Sequence, residues 1–246
     1  VATHIALRLK SAGVEIAGIY SKTLENAKAL ADKIDVPYTN DKTKIPDADI
    51  YICSVKDDYI ADALTGMSIS KNSIILHTAG SVNISVLEPF SENIGVIYPM
   101  QTFSKTKNLD WSKIPLYIEA NTDTNLNIIT SFANKLSPNV NFASSAQRKI
   151  IHLSAVFACN FTNELFAIAY RLMKSNGLNF ESLFPLIDET VAKVKLLPPV
   201  KAQTGPAARN DVKVMSMQQG LLSGTDREIY ELLSKAIQRE CMMYDV

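Results

Sequence analysis

Residues Ser144 to Gly177 read SSAQRKIIHLSAVFACNFTNELFAIAYRLMKSNG, with no proline and no glycine between Pro138 and Gly177. Nothing in that stretch breaks a helix. Ser144 with Gln147 makes a capping box, which satisfies backbone donors left open at a helix start. Arg171 and Lys174 suit the negative C-terminal end, and Asn176-Gly177 offers a left-handed closing residue. At a rise of about 1.5 Å per residue the helix is roughly 50 Å long. That is more than one small domain needs.

Apolar side chains surround the axis, from Ile150, Ile151 and Leu153 through Phe157, Phe161 and Leu165 to Leu172 and Met173. A helix apolar on all sides is expected to be buried. A membrane span fits less well, because His152, Asn160, Asn163, Glu164 and Arg171 interrupt the run. At about 100° per residue these five share roughly one third of the circumference. Such a polar stripe faces either partner groups in a satisfied core network or the wall of a site.

The rest of the chain supplies the context. With 246 residues there is room for one large domain or two smaller ones. Lys plus Arg and Asp plus Glu stand at 25 each, so no net field recommends nucleic acid or an anionic membrane. Cys53, Cys159 and Cys241 are far apart and lack metal-ligand spacing, so they read as reduced thiols of a cytoplasmic protein. The chain starts at Val1 and enters a helical pattern at once, so a first element is expected to be absent from it.

Upstream of the long helix, helices and strands alternate. Residues 2–10 read as a helix, 14–20 as a buried strand, and 24–34 as a helix. A short strand falls within 34–39, and further strands at 49–55, 73–77, 95–98 and 115–119. A helix at 125–136 precedes a last strand at 139–143. This spacing predicts an α/β domain with a mostly parallel, doubly wound sheet over residues 1–143. Downstream the pattern is helical only, at 180–197, 212–222 and 226–244, so residues 144–246 are expected to form an all-helical domain.

Four strings carry a family resemblance: His77-Thr78-Ala79-Gly80-Ser81, Tyr98-Pro99-Met100-Gln101-Thr102-Phe103-Ser104, Val156-Phe157-Ala158-Cys159-Asn160-Phe161-Thr162-Asn163, and Gln203 to Asp211. With Val1-Ala2-Thr3-His4, which looks like a helix start after a glycine turn, they resemble bacterial Rossmann-like proteins with a C-terminal helical domain of unknown function. These are distant relatives of pyrroline-5-carboxylate reductase and of β-hydroxyacid dehydrogenases, whose second domain is of the 6-phosphogluconate dehydrogenase C-terminal type. The resemblance implies an NADP(H) oxidoreductase of unassigned substrate. It places the cofactor across the carboxyl ends of the strands, at Ser21-Lys22-Thr23, Val55-Lys56 and Thr78-Ala79-Gly80. Hydroxyacid dehydrogenases carry a lysine one turn before an asparagine on the helix that opens the second domain. If Asn160 is that asparagine, the lysine position holds Val156.

Candidate residues follow. His152 or His77 handles a proton near neutral pH, or each is a satisfied structural histidine. Asn160 and Asn163 orient a substrate. Gln101 and Thr102 lie in a loop that could reach the same crevice, and Thr78 and Ser81 meet ligand or merely close a turn. Arg209 binds a carboxylate, or sits in a surface pair while Asn210 and Asp211 cap the next helix. Two functions remain open. One is reduction or oxidation of a small polar carbonyl or imine with NADP(H), with deazaflavin as a remote alternative cofactor. The other is non-catalytic NADP(H) binding that reports redox state. His152, Asn160 and Asn163 are expected to share an interdomain cleft with Thr78-Ala79-Gly80. A homodimer through the helical domain is expected, because the long apolar helix exceeds what the remaining helices can cover. NADP(H) is preferred over NAD(H), since Tyr20 to Thr23 holds no acid for a ribose hydroxyl and Ser21, Lys22 and Thr23 suit a phosphate.

Overall fold

A computed structural model describes residues 1–104 and 109–244, in two compact units, Val1–Cys159 and Asn160–Val246. The division falls inside the long helical run. Its first part is counted with the sheet, whereas the helix-start signal at Ser144 points to a boundary there.

In the first unit, α1 (Ala2–Ser11) leads to β1 (Ile19–Tyr20), α2 (Leu24–Ile34) and β2 (Tyr38–Thr39). Then come β3 (Ile50–Cys53), a 3-10 turn at Asp57–Tyr59, α3 (Ile60–Leu64), β4 (Ile74–His77) and β5 (Ile94–Pro99). β6 (Leu116–Ala120), α4 (Asp123–Leu136), β7 (Val140–Phe142) and α5 (Ser145–Ala155) complete it. β1 and β2 pair in parallel as a two-stranded sheet, and a second sheet has the order β3-β4-β5-β6-β7. β3, β4 and β5 run parallel, β6 is antiparallel to β5, and β7 is parallel to β6. The expected α/β architecture with a mostly parallel sheet is therefore present. The apolar run Val14–Tyr20 pairs only at Ile19 and Tyr20. A strand exists only where it has a partner, and composition does not supply one.

Alternation along β4 explains why both faces are covered. Ile74 and Leu76 join one apolar cluster, with Ile97, Leu116, Ile118, Ile129, Leu136 and the α1 residues Ile5 and Leu9. Ile75 points the other way, into a cluster with Ile60, Leu64, Leu87 and Ile94. α4 turns Ile129, Ala133 and Leu136 inward at helical spacing, and its first turn is capped by the Thr122 hydroxyl, which accepts from the Asn125 amide. Gly95 permits the close seat of α4, because a Cβ there would lie 2.2 Å from Ile129 Cδ1 and 2.8 Å from the Glu119 carbonyl oxygen.

The long run is helical from Ser145 to Ser175, and the expected capping box of Ser144 and Gln147 is formed. It is not uniform. α5 passes into a π-helical segment at Val156–Phe161, and α6 (Thr162–Ser175) resumes the α form. Length and composition alone would let the run cross a membrane. Its first half, however, supplies the wholly buried Arg148 to the first unit. The expectation that this helix is buried on all sides does not hold within the chain: Ile150 is 63% exposed and Leu165 40%. An all-round apolar helix needs neighbours on all sides, and the chain provides them on only some.

The second unit continues with a 3-10 turn at Phe180–Leu183, α7 (Phe184–Leu196), α8 (Pro199–Ala202), α9 (Val212–Gly220) and α10 (Gly224–Tyr244). Tyr170, Phe180 and Phe184 pack edge to face, with ring centroids 5.5 and 5.7 Å apart. Asp211 caps α9 by accepting from the Val214 amide.

Candidate functional site

The parallel strands β3, β4 and β5 bring their carboxyl ends to one edge of the sheet, where open α/β folds bind ligands. Four short segments meet there. His77 ends β4 in register with Cys53 at the end of β3, and Tyr98 is the penultimate residue of β5. The Thr78 hydroxyl donates to the Ser54 hydroxyl at 3.0 Å, and the Ser81 hydroxyl donates to the Asp57 carboxylate. The turn after β4 is thereby tied to the loop after β3.

His152 joins this edge from α5. Its Nδ1 lies 3.0 Å from the Tyr98 hydroxyl, and the two rings meet edge to face at 5.8 Å. The direction of that bond follows the imidazole tautomer. Gly80 lies against both rings. A Cβ at Gly80 would stand 2.8 Å from His152 Nδ1 and 2.9 Å from Tyr98 Cζ, so only glycine lets the backbone pass. Tyr98 also stacks on its cross-strand partner Tyr117, with centroids 6.5 Å apart. Burial, then Tyr117 and then Asp57, raises the Tyr98 phenol above its ordinary value. It therefore keeps its proton at neutral pH. Both Tyr98 and His152 remain partly open to solvent.

His77 stands in a different situation. It is wholly buried, its Nδ1 accepts from the Ala79 amide at 3.2 Å, and its Nε2 has no hydrogen-bond partner among the described residues. Burial, aided by the Arg148 cation, lowers its imidazole to about 4. A neutral ring that never reaches solvent suits a structural role in the turn better than proton exchange with a ligand.

Beneath the turn lies a network that the sequence alone did not single out. Arg148 is 0% exposed. Its Nε donates to the Ala79 carbonyl at 3.2 Å, and its terminal nitrogens donate to Glu119 Oε2, the Val82 carbonyl and the Ser145 hydroxyl. Glu119 accepts from the Ser145 amide at 2.8 Å and from its hydroxyl at 2.7 Å, and that hydroxyl accepts from the Ile84 amide at 3.0 Å. The signal available beforehand was Arg148 itself, a charge on the first turns of a helix read as buried, with Glu119 at the end of a strand.

The remaining candidates are placed as follows. Ser21, Lys22 and Thr23 lie between β1 and α2, with Lys22 and Thr23 exposed. Thr23 occupies the cap position of α2, yet its hydroxyl makes no capping bond. Two hydroxyls and an ammonium at the start of an 11-residue helix are a donor set that fits a phosphate. Val55 and Lys56 are exposed after β3, and Thr78, Ala79 and Gly80 are buried in the turn. Gln101 turns back on its neighbour, accepting from the Thr102 amide at 2.8 Å, and both line a shallow recess with Phe103 and Lys113. Asn160 lies in the π segment and Asn163 in the first turn of α6; both belong to the second unit and are exposed. Glu164 and Arg171 pair with each other at 3.2 Å, and Arg171 reaches Asp226 at 3.0 Å. Arg209 is exposed in the loop before α9, next to Asn210, whose side chain accepts from Gln238 at 2.7 Å. Among the described residues no cluster of His, Cys, Asp and Glu could hold a metal ion.

Comparison with known proteins places this geometry. A protein of Bacteroides fragilis provisionally named an NADP oxidoreductase is 40% identical and superposes with a TM-score of 0.87, covering 97% of this chain and 94% of that one. A pyrroline-5-carboxylate reductase of Streptococcus pyogenes is 14% identical with a TM-score of 0.62, over 97% and 94% of the two chains. An imine reductase of Myxococcus stipitatus, solved with NADP+, is 12% identical with a TM-score of 0.62, over 98% and 91%. The last two show the fold alone. No curated protein sequence matches. The family described as Domain of unknown function (DUF2520) matches residues 114–237, which contain Glu119, Arg148 and His152. By that match and by its relative in Bacteroides fragilis, the chain belongs to the DUF2520 family, a Rossmann-like sheet followed by a helical region.

Proposed function

We propose that the protein is an NADP(H)-dependent oxidoreductase acting on a small polar carbonyl or imine. The observation that carries this reading is the Tyr98–His152 pair, packed on Gly80 at the carboxyl edge of the parallel strands. The names of its structural neighbours point the same way. The chemistry that NADP(H) supplies, once bound, is hydride transfer. Ser21, Lys22 and Thr23 would hold its 2′-phosphate, and the turn Thr78-Ala79-Gly80 would lie along it. The chain's own part is the proton. The Tyr98 hydroxyl, on a residue partly open to solvent, holds it, and His152 Nδ1, 3.0 Å away, replaces it. Asn160, Asn163, Gln101 and Arg209 are candidates for substrate contact.

Consumption of NADPH with a panel of keto acids, aldehydes and cyclic imines tests the proposal. Turnover of at least one class is expected. NADPH is expected to bind at least about tenfold more tightly than NADH, roughly 1.4 kcal/mol, with the difference mostly lost in Lys22→Ala. Tight NADPH binding with no turnover on any class would favour a redox-reporting role instead.

A homodimer through the helical unit belongs to the same proposal. Leu186, Leu196, Leu221 and Leu232 are 64, 82, 78 and 67% exposed, more apolar surface than a lone unit leaves open. Light scattering is expected to report twice the chain mass, and a monomer at micromolar concentration would reject the pairing. The three free cysteines, Cys53, Cys159 and Cys241, support a reducing, cytoplasmic setting.

A further inference from the structure

We propose that Arg148, paired with Glu119, is the positioning residue that sets His152 against Tyr98. Arg148 and His152 are four residues apart on α5, one turn of the same helix face. The guanidinium donates to the carbonyls of Ala79 and Val82, which stand on either side of Gly80 and Ser81. Gly80 is the residue against which the Tyr98 and His152 rings rest. One side chain therefore clamps the turn from the same helix that carries the imidazole.

Glu119 closes the arrangement from the sheet. It accepts from Arg148 and from both donors of Ser145, the first residue of α5, and so ties that helix to β6. β6 pairs with β5 at Tyr117 and Tyr98, two residues from Glu119. The turn, the helix start and the strand bearing the phenol thus meet at one ion pair. A buried ion pair is a poor device for stability alone, since apolar groups of like volume do as well. What it supplies here is direction: a rigid fork fixes two carbonyls at once, which an apolar side chain cannot do.

The test is nitrogen NMR on protein with labelled histidines, in wild type, Tyr98→Phe and Arg148→Lys, with the His152 signals assigned by their loss in His152→Gln. Lysine keeps the charge and lacks the fork. The His152 Nδ1 resonance is expected to move in Tyr98→Phe, and to move in the same direction by at least half that amount in Arg148→Lys, while His4 stays in place. Retention of the wild-type His152 signal in Arg148→Lys would overturn the inference. So would a Tyr98→Phe variant with no shift, because the bond that Arg148 is said to set would then be absent. Should the lysine variant fail to fold, Glu119→Gln, which keeps the shape but removes the charge and one of the two acceptor oxygens, is read by the same two outcomes. No substrate enters this readout, so a failure of the catalytic proposal and a failure of this inference are seen separately.

Discussion

Arg148 and Arg171 are paired arginines on one helical run, yet the side chain of the first is wholly buried and that of the second half exposed. Arg148 meets Glu119, two backbone carbonyls and a hydroxyl. Arg171 meets Glu164 and Asp226, whose side chains are 56 and 30% exposed. The difference teaches where charge matters in this chain. In α5 the ions are out of water, and each group depends on the others for its hydrogen bonds. In α6 water can replace any lost partner.

The largest effect is expected at the buried pair. Arg148→Met leaves the Glu119 carboxylate uncompensated and should cost about 3–5 kcal/mol in urea unfolding. A cost near zero would mean that water reaches Glu119 and that the contrast is unfounded.

His77 sharpens the same side of the contrast through pH. Burial first, and the Arg148 cation second, hold its imidazole at about 4 against an ordinary 6.5. The unfolded chain therefore takes up this proton before the folded one does. The stabilisation is complete above about pH 6.5 and is lost as the pH falls toward 4, by about 3 kcal/mol in total. Urea unfolding at a series of pH values should show that fall, and His77→Phe should remove most of it.

A smaller effect is expected where the pair meets the turn. Gly80→Ala places a methyl group within 3 Å of both His152 and Tyr98. About 1–3 kcal/mol should be lost as the rings are pushed aside. At the other end of the scale, Arg171→Met should leave the unfolding midpoint where it was. A clear destabilisation there would place α6 in a far drier setting than its exposure shows.

Most of the fold was legible because it rests on local signals. Strand-helix alternation and the box at Ser144 and Gln147 are written into neighbouring residues. The site was legible in part. His152 and the turn at Thr78-Ala79-Gly80 do meet, at Gly80. The π-helical form of Val156–Phe161, which carries Asn160, was not foreseen, because no local composition announces it. Neither Tyr98 nor Glu119 was singled out as a site residue, because their roles depend on partners far apart in sequence, Tyr117 on the neighbouring strand and Arg148 on α5. The long helix was read as buried because apolar composition records a need for cover without saying which chain provides it.

If Tyr98, backed by His152, holds the proton for hydride transfer, its loss must appear in the hydride step itself. Single-turnover oxidation of bound NADPH, with the best substrate of the panel, compares wild type with Tyr98→Phe at equal cofactor occupancy. The hydride step is expected to slow by about a hundredfold or more while NADPH affinity stays unchanged. An unaltered rate in Tyr98→Phe would contradict the account.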